Sequence, residues 1–276
     1  MSPPSGRACR CHGRGPWGST RDKEMKNRQA SRAQVKVPAS VRPLVERIGR
    51  IADRRGLATY VVGGCVRDWW LGQPPTTDLD LAVEGDGIAL AKDVARALRS
   101  TVRVHEQFGT ATVLRSARPG RRIDVASCRR EVYARPAAYP RVSAGTLEDD
   151  LFRRDFTINA MAIALNPARF GTLLDPFGGV GDLARGELRV LHERSFLDDP
   201  SRILRGVRFA QRFGFAWEPK TRRLLREAVA AGALGWLNAG RLQRELNRMR
   251  EEPDAVACFE RLAELLNARV RQARSR

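Results

Sequence analysis

Residues 60–80 constrain this chain most. Tyr60-Val61-Val62 is a short apolar run that ends in two adjacent glycines, Gly63 and Gly64, followed by Cys65-Val66-Arg67-Asp68. After a Pro-containing turn the chain returns with Asp78-Leu79-Asp80. The pattern reads as a strand over Thr59–Val62, a glycine turn, and a second strand over Leu79–Val83. Two aspartates one residue apart in an extended segment share a face, where together they can hold divalent metal. Adjacent glycines let the backbone approach a ligand closely, and Arg67 supplies a cation for phosphate. A triphosphate held by backbone amides, arginine and metal is one reading. Nucleotidyl transfer needs little beyond such positioning and charge neutralisation. The other reading is plain: Asp-x-Asp beside Pro and Thr in a solvated turn, with Gly-Gly merely ending a strand.

At 276 residues the chain can bury a sizeable core and has room for about two domains. Its formal charge of +19 favours a polyanionic partner, foremost nucleic acid. Only five of the 50 basic residues are lysine, so coding bias also contributes to that charge. Five scattered cysteines, Cys9, Cys11, Cys65, Cys128 and Cys258, read as reduced thiols of an intracellular, cytoplasmic protein. Cys9-Arg10-Cys11-His12 is half a metal site without a second pair. No apolar run approaches a membrane span, so no membrane partner is expected. Residues 1–38 are rich in Gly, Pro, Ser and Arg and read as a disordered basic tail, with Met25 an alternative start.

From Pro38 onward the periodicity is ordered. Val41, Leu44, Ile48 and Ile51 predict an amphipathic helix before the first strand. A helix is expected over Ile88–Leu98, then strands at 101–106 and 110–115 and a further strand at Arg122–Ala126. Asp124 in that strand reads as an edge-strand charge, with a third carboxylate near the metal as the alternative. Residues 128–149, containing Tyr133, Pro136, Tyr139 and Pro140, read as a long mobile loop beside the site. Leu188–Leu191 reads as the last strand, after which the chain reads as all helical.

Two further patches carry polar groups on apolar anchors. In Arg153-Arg154-Asp155-Phe156-Thr157-Ile158-Asn159-Ala160-Met161, the apolar residues anchor a core and leave Arg153, Arg154, Asp155 and Asn159 needing partners. A nucleotide's sugar hydroxyls and phosphates would satisfy them, as would a salt-bridged helix start with Asp155 pairing an arginine. In Asp198-Asp199-Pro200-Ser201-Arg202, Pro200 suits the first helical position with Asp199 as N-cap. Helical spacing then gathers Arg202, Arg205, Arg208 and Arg212 on one face and Ile203, Leu204 and Val207 on the other. Such a basic face is either solvated or a ligand surface. Asp199 and Arg202 offer an acceptor and a donor side by side, able to read the edge of a base.

In this order, Gly-Gly-x-Val-Arg-Asp, Asp-x-Asp, Arg-Arg-Asp-Phe-Thr-Ile-Asn-Ala, Asp-Pro-Phe-Gly-Gly and Asp-Asp-Pro-x-Arg-x-Leu-Arg-x-x-Arg-Phe, the chain resembles the class II tRNA nucleotidyltransferase and bacterial poly(A) polymerase family over roughly residues 40–265. The resemblance implies an α+β fold: a DNA-polymerase-beta-like nucleotidyltransferase head with a mixed sheet and flanking helices at 39–192, then an all-helical neck at 193–266 and a basic tail at 267–276. It implies an enzyme that adds CCA, CC or A to the 3′ end of tRNA from CTP or ATP, or a poly(A) tail to RNA. Asp78 and Asp80 then resemble the carboxylates for two Mg²⁺ ions, and Gly63, Gly64 and Arg67 the triphosphate loop. Arg153, Arg154, Asp155 and Asn159 match the ribose- and phosphate-binding motif. Asp199 and Arg202 match the base-reading pair, with Arg205 and Arg208 beside them.

Asp198-Asp199 stands where many members have Glu-Asp, a form similar to that of longer bacterial members adding only CC or only A. The family also continues into body and tail domains that grip tRNA. This chain is therefore expected to hold RNA with its basic neck, or to draw on a second copy or a partner chain. The remaining alternatives are an RNA-binding remnant without catalysis and a nucleotidyltransferase acting on a small molecule.

Overall fold

The computed structural model describes residues 34–74, 78–115 and 122–274. The expectations for residues 1–33, the Cys9–His12 pair included, lie outside them. Helix α1 (Arg42–Arg54) begins with Pro43 in its first turn and buries Val45, Ile48, Ile51 and Ala52, the stripe that its spacing predicts. It leads into β1 (Ala58–Val62), then α2 (Gly64–Trp70) and β2 (Asp78–Glu84). Helix α3 (Gly87–Leu98) is capped by Asp86, whose side chain accepts from Ala89 N. Strands β3 (Thr101–His105), β4 (Thr110–Leu114) and β5 (Arg122–Ser127) follow. With β8 (Ala162–Ala164) and β9 (Leu173–Leu174) they form one mixed sheet, in the order β3-β4-β5-β2-β1-β8-β9. Only β2 and β5 run parallel within it.

That order corrects one expectation. Strand β5 lies between β4 and β2, so Asp124 is no edge charge; it stands in register with Asp80. A second correction concerns residues 128–149. They form an antiparallel hairpin, β6 (Arg129–Val132) with β7 (Arg141–Ala144), running into α4 (Leu147–Phe152). Arg129, Arg153 and Tyr133 all donate to Glu131, which ties the hairpin to the end of α4. Thr146 caps α4 in a capping box with Asp149.

After α5 (Gly179–Arg185), strand β10 covers Glu187–Leu188 alone, because Val190 turns away to bridge Phe156 and to donate from its N–H to Thr221 Oγ1. The remainder is helical except for β11 (Ala216–Trp217), which pairs in parallel with β10. The helices are α6 (Ser195–Asp198), α7 (Ser201–Phe213), α8 (Pro219–Ala230), α9 (Ala239–Arg250) and α10 (Ala255–Arg274). Helix α10 passes through the boundary expected at 266. Leu204 and Val207 of α7 pack with Leu237, Met249, Cys258 and Leu262 in one apolar cluster. The opposite face of α7 turns toward the sheet, and the space between them is the cleft.

Candidate active-site cleft

A cavity of about 620 Å³ opens between the ends of β1 and β2, the segment after α4, and helices α7 and α9. Gly63 ends β1 with φ 76°, a conformation that favours glycine, and a Cβ there would stand 2.8 Å from Arg154 Nη1. Gly64 then opens α2, which carries Arg67 into the wall. Arg67 is buried: its Nη1 donates to Asn159 Oδ1 at 2.5 Å, its Nε to Asp68 at 2.9 Å, and its guanidinium lies 4.6 Å from the Phe213 ring centroid. This arginine is a fixed part of the wall.

Asp78 and Asp80 are both exposed on β2, with Leu79 buried between them, as strand alternation requires. Asp80 lines the cavity; Asp78 does not. The Asp80 carboxyl is raised above the ordinary aspartate range, first by the protein packed around it and then by the charges of Asp124 and Asp78, with Arg154 acting in the opposite sense. Crowded carboxylates of this kind are the setting in which a hard cation is favoured. Among the described residues no cluster of three or more His, Cys, Asp or Glu offers a ready-made metal cage. Two carboxylates on one strand still fit Mg²⁺, which takes one or two carboxylates with water and substrate phosphate making up the rest.

The segment after α4 folds back through a buried aspartate. Asp150 accepts from Arg153 and from Arg154, and although burial acts to raise it, those two charges leave it below its ordinary range. Arg154 Nε is buried without an acceptor. Asp155 accepts from Phe156 N (2.8 Å), Asn159 Nδ2 (3.0 Å) and Arg205 Nε (2.8 Å). Burial acts to raise this carboxyl as well, but the Arg205 charge and those hydrogen bonds bring it down to about 2.

Helix α7 supplies the far wall. It starts at Ser201 with Pro200 at the cap position, one residue later than expected. Pro200 lacks an N–H, and Asp199 Oδ1 reaches past it to accept from Ser201 N. Most of the basic face is not solvated: Arg202 and Arg208 are buried and Arg205 half-buried, and only Arg212 at its end is exposed. Arg202 donates to Ser195 Oγ and to Arg153 O, both at 2.6 Å, and its Nη1 lies 3.4 Å from His192 Nε2. Burial and the charges of Arg202 and Arg194 depress the His192 imidazole to about 4, so it is neutral at physiological pH. Arg205 pairs with Asp155, and Arg208 and Arg212 pair with Glu252. Phe209 lies within cation–π range of Arg67, Arg205 and Arg208.

Of the expected site residues, Gly63, Gly64, Arg67, Asp80, Arg153, Arg154, Asp155, Asn159, Asp199, Arg202, Arg205 and Arg208 all line this one cavity; Asp78, two residues before Asp80 on β2, does not. The sequence reading placed the segment of Arg129, Glu131, Tyr133, Tyr139 and Pro140 beside the site without giving these residues a role, and it missed Phe209, Arg241 and Arg244 as site residues. For the last two a signal existed: Asn238 before an apolar-periodic run marks a helix start, and Arg241 and Arg244 then share a face. Nine arginines against four carboxylates line the walls, an excess suited to a polyanion.

Known proteins of similar sequence and fold bear on this cleft. Residues 59–189 match the family described as the poly A polymerase head domain. The chain is 42% identical over 224 residues to the A-adding tRNA nucleotidyltransferase of Halalkalibacterium halodurans, covering 80% of this chain and 52% of that protein. It is 39% identical over 193 residues to the CC-adding tRNA nucleotidyltransferase of Deinococcus radiodurans, covering 70% of this chain and 50% of that one. Among solved structures, an apo form of a CCA-adding enzyme superposes with a TM-score of 0.78 at 43% identity, over 83% of this chain and 53% of the other. The chain thus spans about half the length of these relatives. With four of the five motifs lining one cleft and this similarity in both sequence and fold, the chain belongs, through residues 59–189, to the family of the poly A polymerase head domain, and it is similar to the tRNA nucleotidyltransferases.

Proposed function

We propose that this chain is an RNA nucleotidyltransferase that adds nucleotides to the 3′ end of tRNA from CTP or ATP, cytosine and adenine being bases with an exocyclic amino group. The observation that carries the proposal is the cleft itself. The Asp80 carboxylate of β2 stands on one side and the Asp199–Arg202 pair on the other, and the arginine-rich cavity between them suits a nucleoside triphosphate in size and charge.

In this reading the 3′-hydroxyl of the RNA attacks the α-phosphorus, a P–O bond forms, and the bond to the β-phosphate oxygen breaks to release pyrophosphate. Asp78 and Asp80 would hold two Mg²⁺ ions, which would supply neutralisation of phosphate charge and a lowered pKa for the attacking hydroxyl. Arg154, with its unpartnered Nε, binds phosphate oxygen, and Gly63 and Gly64 let the triphosphate approach the backbone. Asp155, Asn159 and Arg67 form a hydrogen-bonded chain against the ribose. Asp199 and Arg202 read the base. Arg205 and Arg208, paired and stacked on Phe209, keep the nucleotide side of α7 positive. Residues 39–192 act as the catalytic head and the helices after them as the neck.

The test is incorporation of labelled CTP alone, ATP alone, and both, with Mg²⁺, into tRNAs lacking CCA or lacking only the final A. Ordered addition of CCA, of CC, or of a single A supports the proposal and assigns the specificity. Runs of A on any RNA instead indicate a poly(A) polymerase. Binding of tRNA with no incorporation of either nucleotide contradicts it.

A further inference from the structure

Asp199 is held through a single oxygen. Its Oδ1 accepts from Ser201 N at 3.0 Å, from Ser201 Oγ at 2.5 Å and from Arg241 Nη2 at 2.5 Å. Its Oδ2 accepts from no described residue, and Asp199 lines the cavity. An ionised carboxylate offers about four lone-pair sites in all, so three donors fill Oδ1 and leave Oδ2 for a ligand. The clamp is itself fixed: Arg241 N donates to Asn238 Oδ1, the N-cap of α9, at 2.9 Å. Arg241 and Asp199 are both largely shielded from solvent, at 17% and 22% side-chain exposure. Their pair is thus better protected from screening than an ordinary surface bridge.

We infer that Arg241 is a positioning residue for base discrimination: with Ser201 it turns Asp199 so that one unpaired carboxylate oxygen faces the nucleobase. That oxygen accepts from the exocyclic amino group of adenine or cytosine. It repels the keto oxygen that guanine and uracil present at the same edge. A carboxylate free to rotate would present either oxygen, or a bridging water, and so admit both kinds of base. Arg241 acts through Asp199 and need not touch the nucleotide. The inference rests on the proposed nucleotidyl transfer at this cleft, and its test has an arm independent of transfer.

Equilibrium binding of ATP, CTP, GTP and UTP, and incorporation of each into tRNA lacking CCA, are measured for the parent and for Arg241→Ala, Arg241→Lys, Ser201→Ala and Arg244→Ala. Arg244 lies one turn further along α9, lines the same cavity and has no ion pair among the described residues, so its removal reports the loss of charge alone. For Arg241→Ala the preference for ATP and CTP over GTP and UTP falls roughly tenfold to a hundredfold, the range for losing a hydrogen bond to a charged group. Arg241→Lys recovers much of it, and Ser201→Ala loses part of it. Arg244→Ala weakens all four nucleotides alike. The inference is overturned if Arg241→Ala keeps the parent's preference, or weakens all four in one proportion as Arg244→Ala does. Should Arg241→Ala melt below the assay temperature, Ser201→Ala decides: an unchanged preference there overturns the inference. A parent that binds amino-bearing bases selectively but transfers nothing defeats the proposed function and leaves the inference standing. A parent that binds all four alike defeats the inference, whatever it transfers.

Discussion

Asp155 shows how one residue serves both fold and cleft. It is almost fully buried, and it survives as a carboxylate only because Arg205, Asn159 and the Phe156 N–H surround it. Its folded pKa of about 2 lies below the ordinary 3.8, so the folded state binds a proton less readily than the unfolded one. The stability it contributes is therefore fully present above about pH 4 and is lost as pH falls through 2, amounting to about 2 kcal/mol. Urea unfolding of the parent and of Asp155→Asn across pH 2–5 checks this. The variant is less stable at pH 5, because half-buried Arg205 loses its nearest carboxylate, and it lacks one proton's share of the acid-side decline. Equal pH dependence in both proteins would contradict the account. In the sequence alone Asp155 was legible as a polar group needing a partner, but the partner, fifty residues away, was not. The same holds for Asp124. Alternation placed its side chain correctly, yet only the strand order shows that it stands beside Asp80.

At the scale of elements, α7 organises the cleft. Gly206 lets it come close to its neighbours: a Cβ there would stand 2.1 Å from Trp217 and 2.7 Å from Phe156, both ring atoms in a packed aromatic cluster. Gly206→Ala is expected to lower stability by about 1–3 kcal/mol through overpacking, and by displacing α7 to raise KM for the nucleotide. Thermal melting and steady-state kinetics read the two effects, and an unchanged melting temperature would refute the packing. The amphipathic division of α7 was legible from spacing. That its basic face looks inward was not, because the groups that pair with it, Asp155, Glu245 and Glu252, come from other elements. The hairpin of β6 and β7 was illegible for a related reason. Its strands are mostly exposed and carry Arg and Glu in place of an apolar alternation, and the tie from Glu131 to Arg153 reaches outside it.

Over the whole molecule, many arginines pair with carboxylates within the fold, yet basic residues outnumber acidic ones by 19 and the wall of the cleft stays positive. RNA binding is then expected to weaken steeply with salt. Arg244→Ala should lower the slope of log K against log salt by about 0.7 and weaken binding alike across RNA sequences. A slope unchanged by that substitution would place the RNA elsewhere. The most direct measurement is of the β2 carboxylates, which stand on the sheet opposite a wall rich in arginine. Replacing both Asp78 and Asp80 by Ala, at exposed positions where folding should survive, is predicted to abolish Mg²⁺-dependent incorporation of ATP and CTP into tRNA 3′ ends while tRNA binding persists. Incorporation at the parent's rate by that double variant would contradict the account.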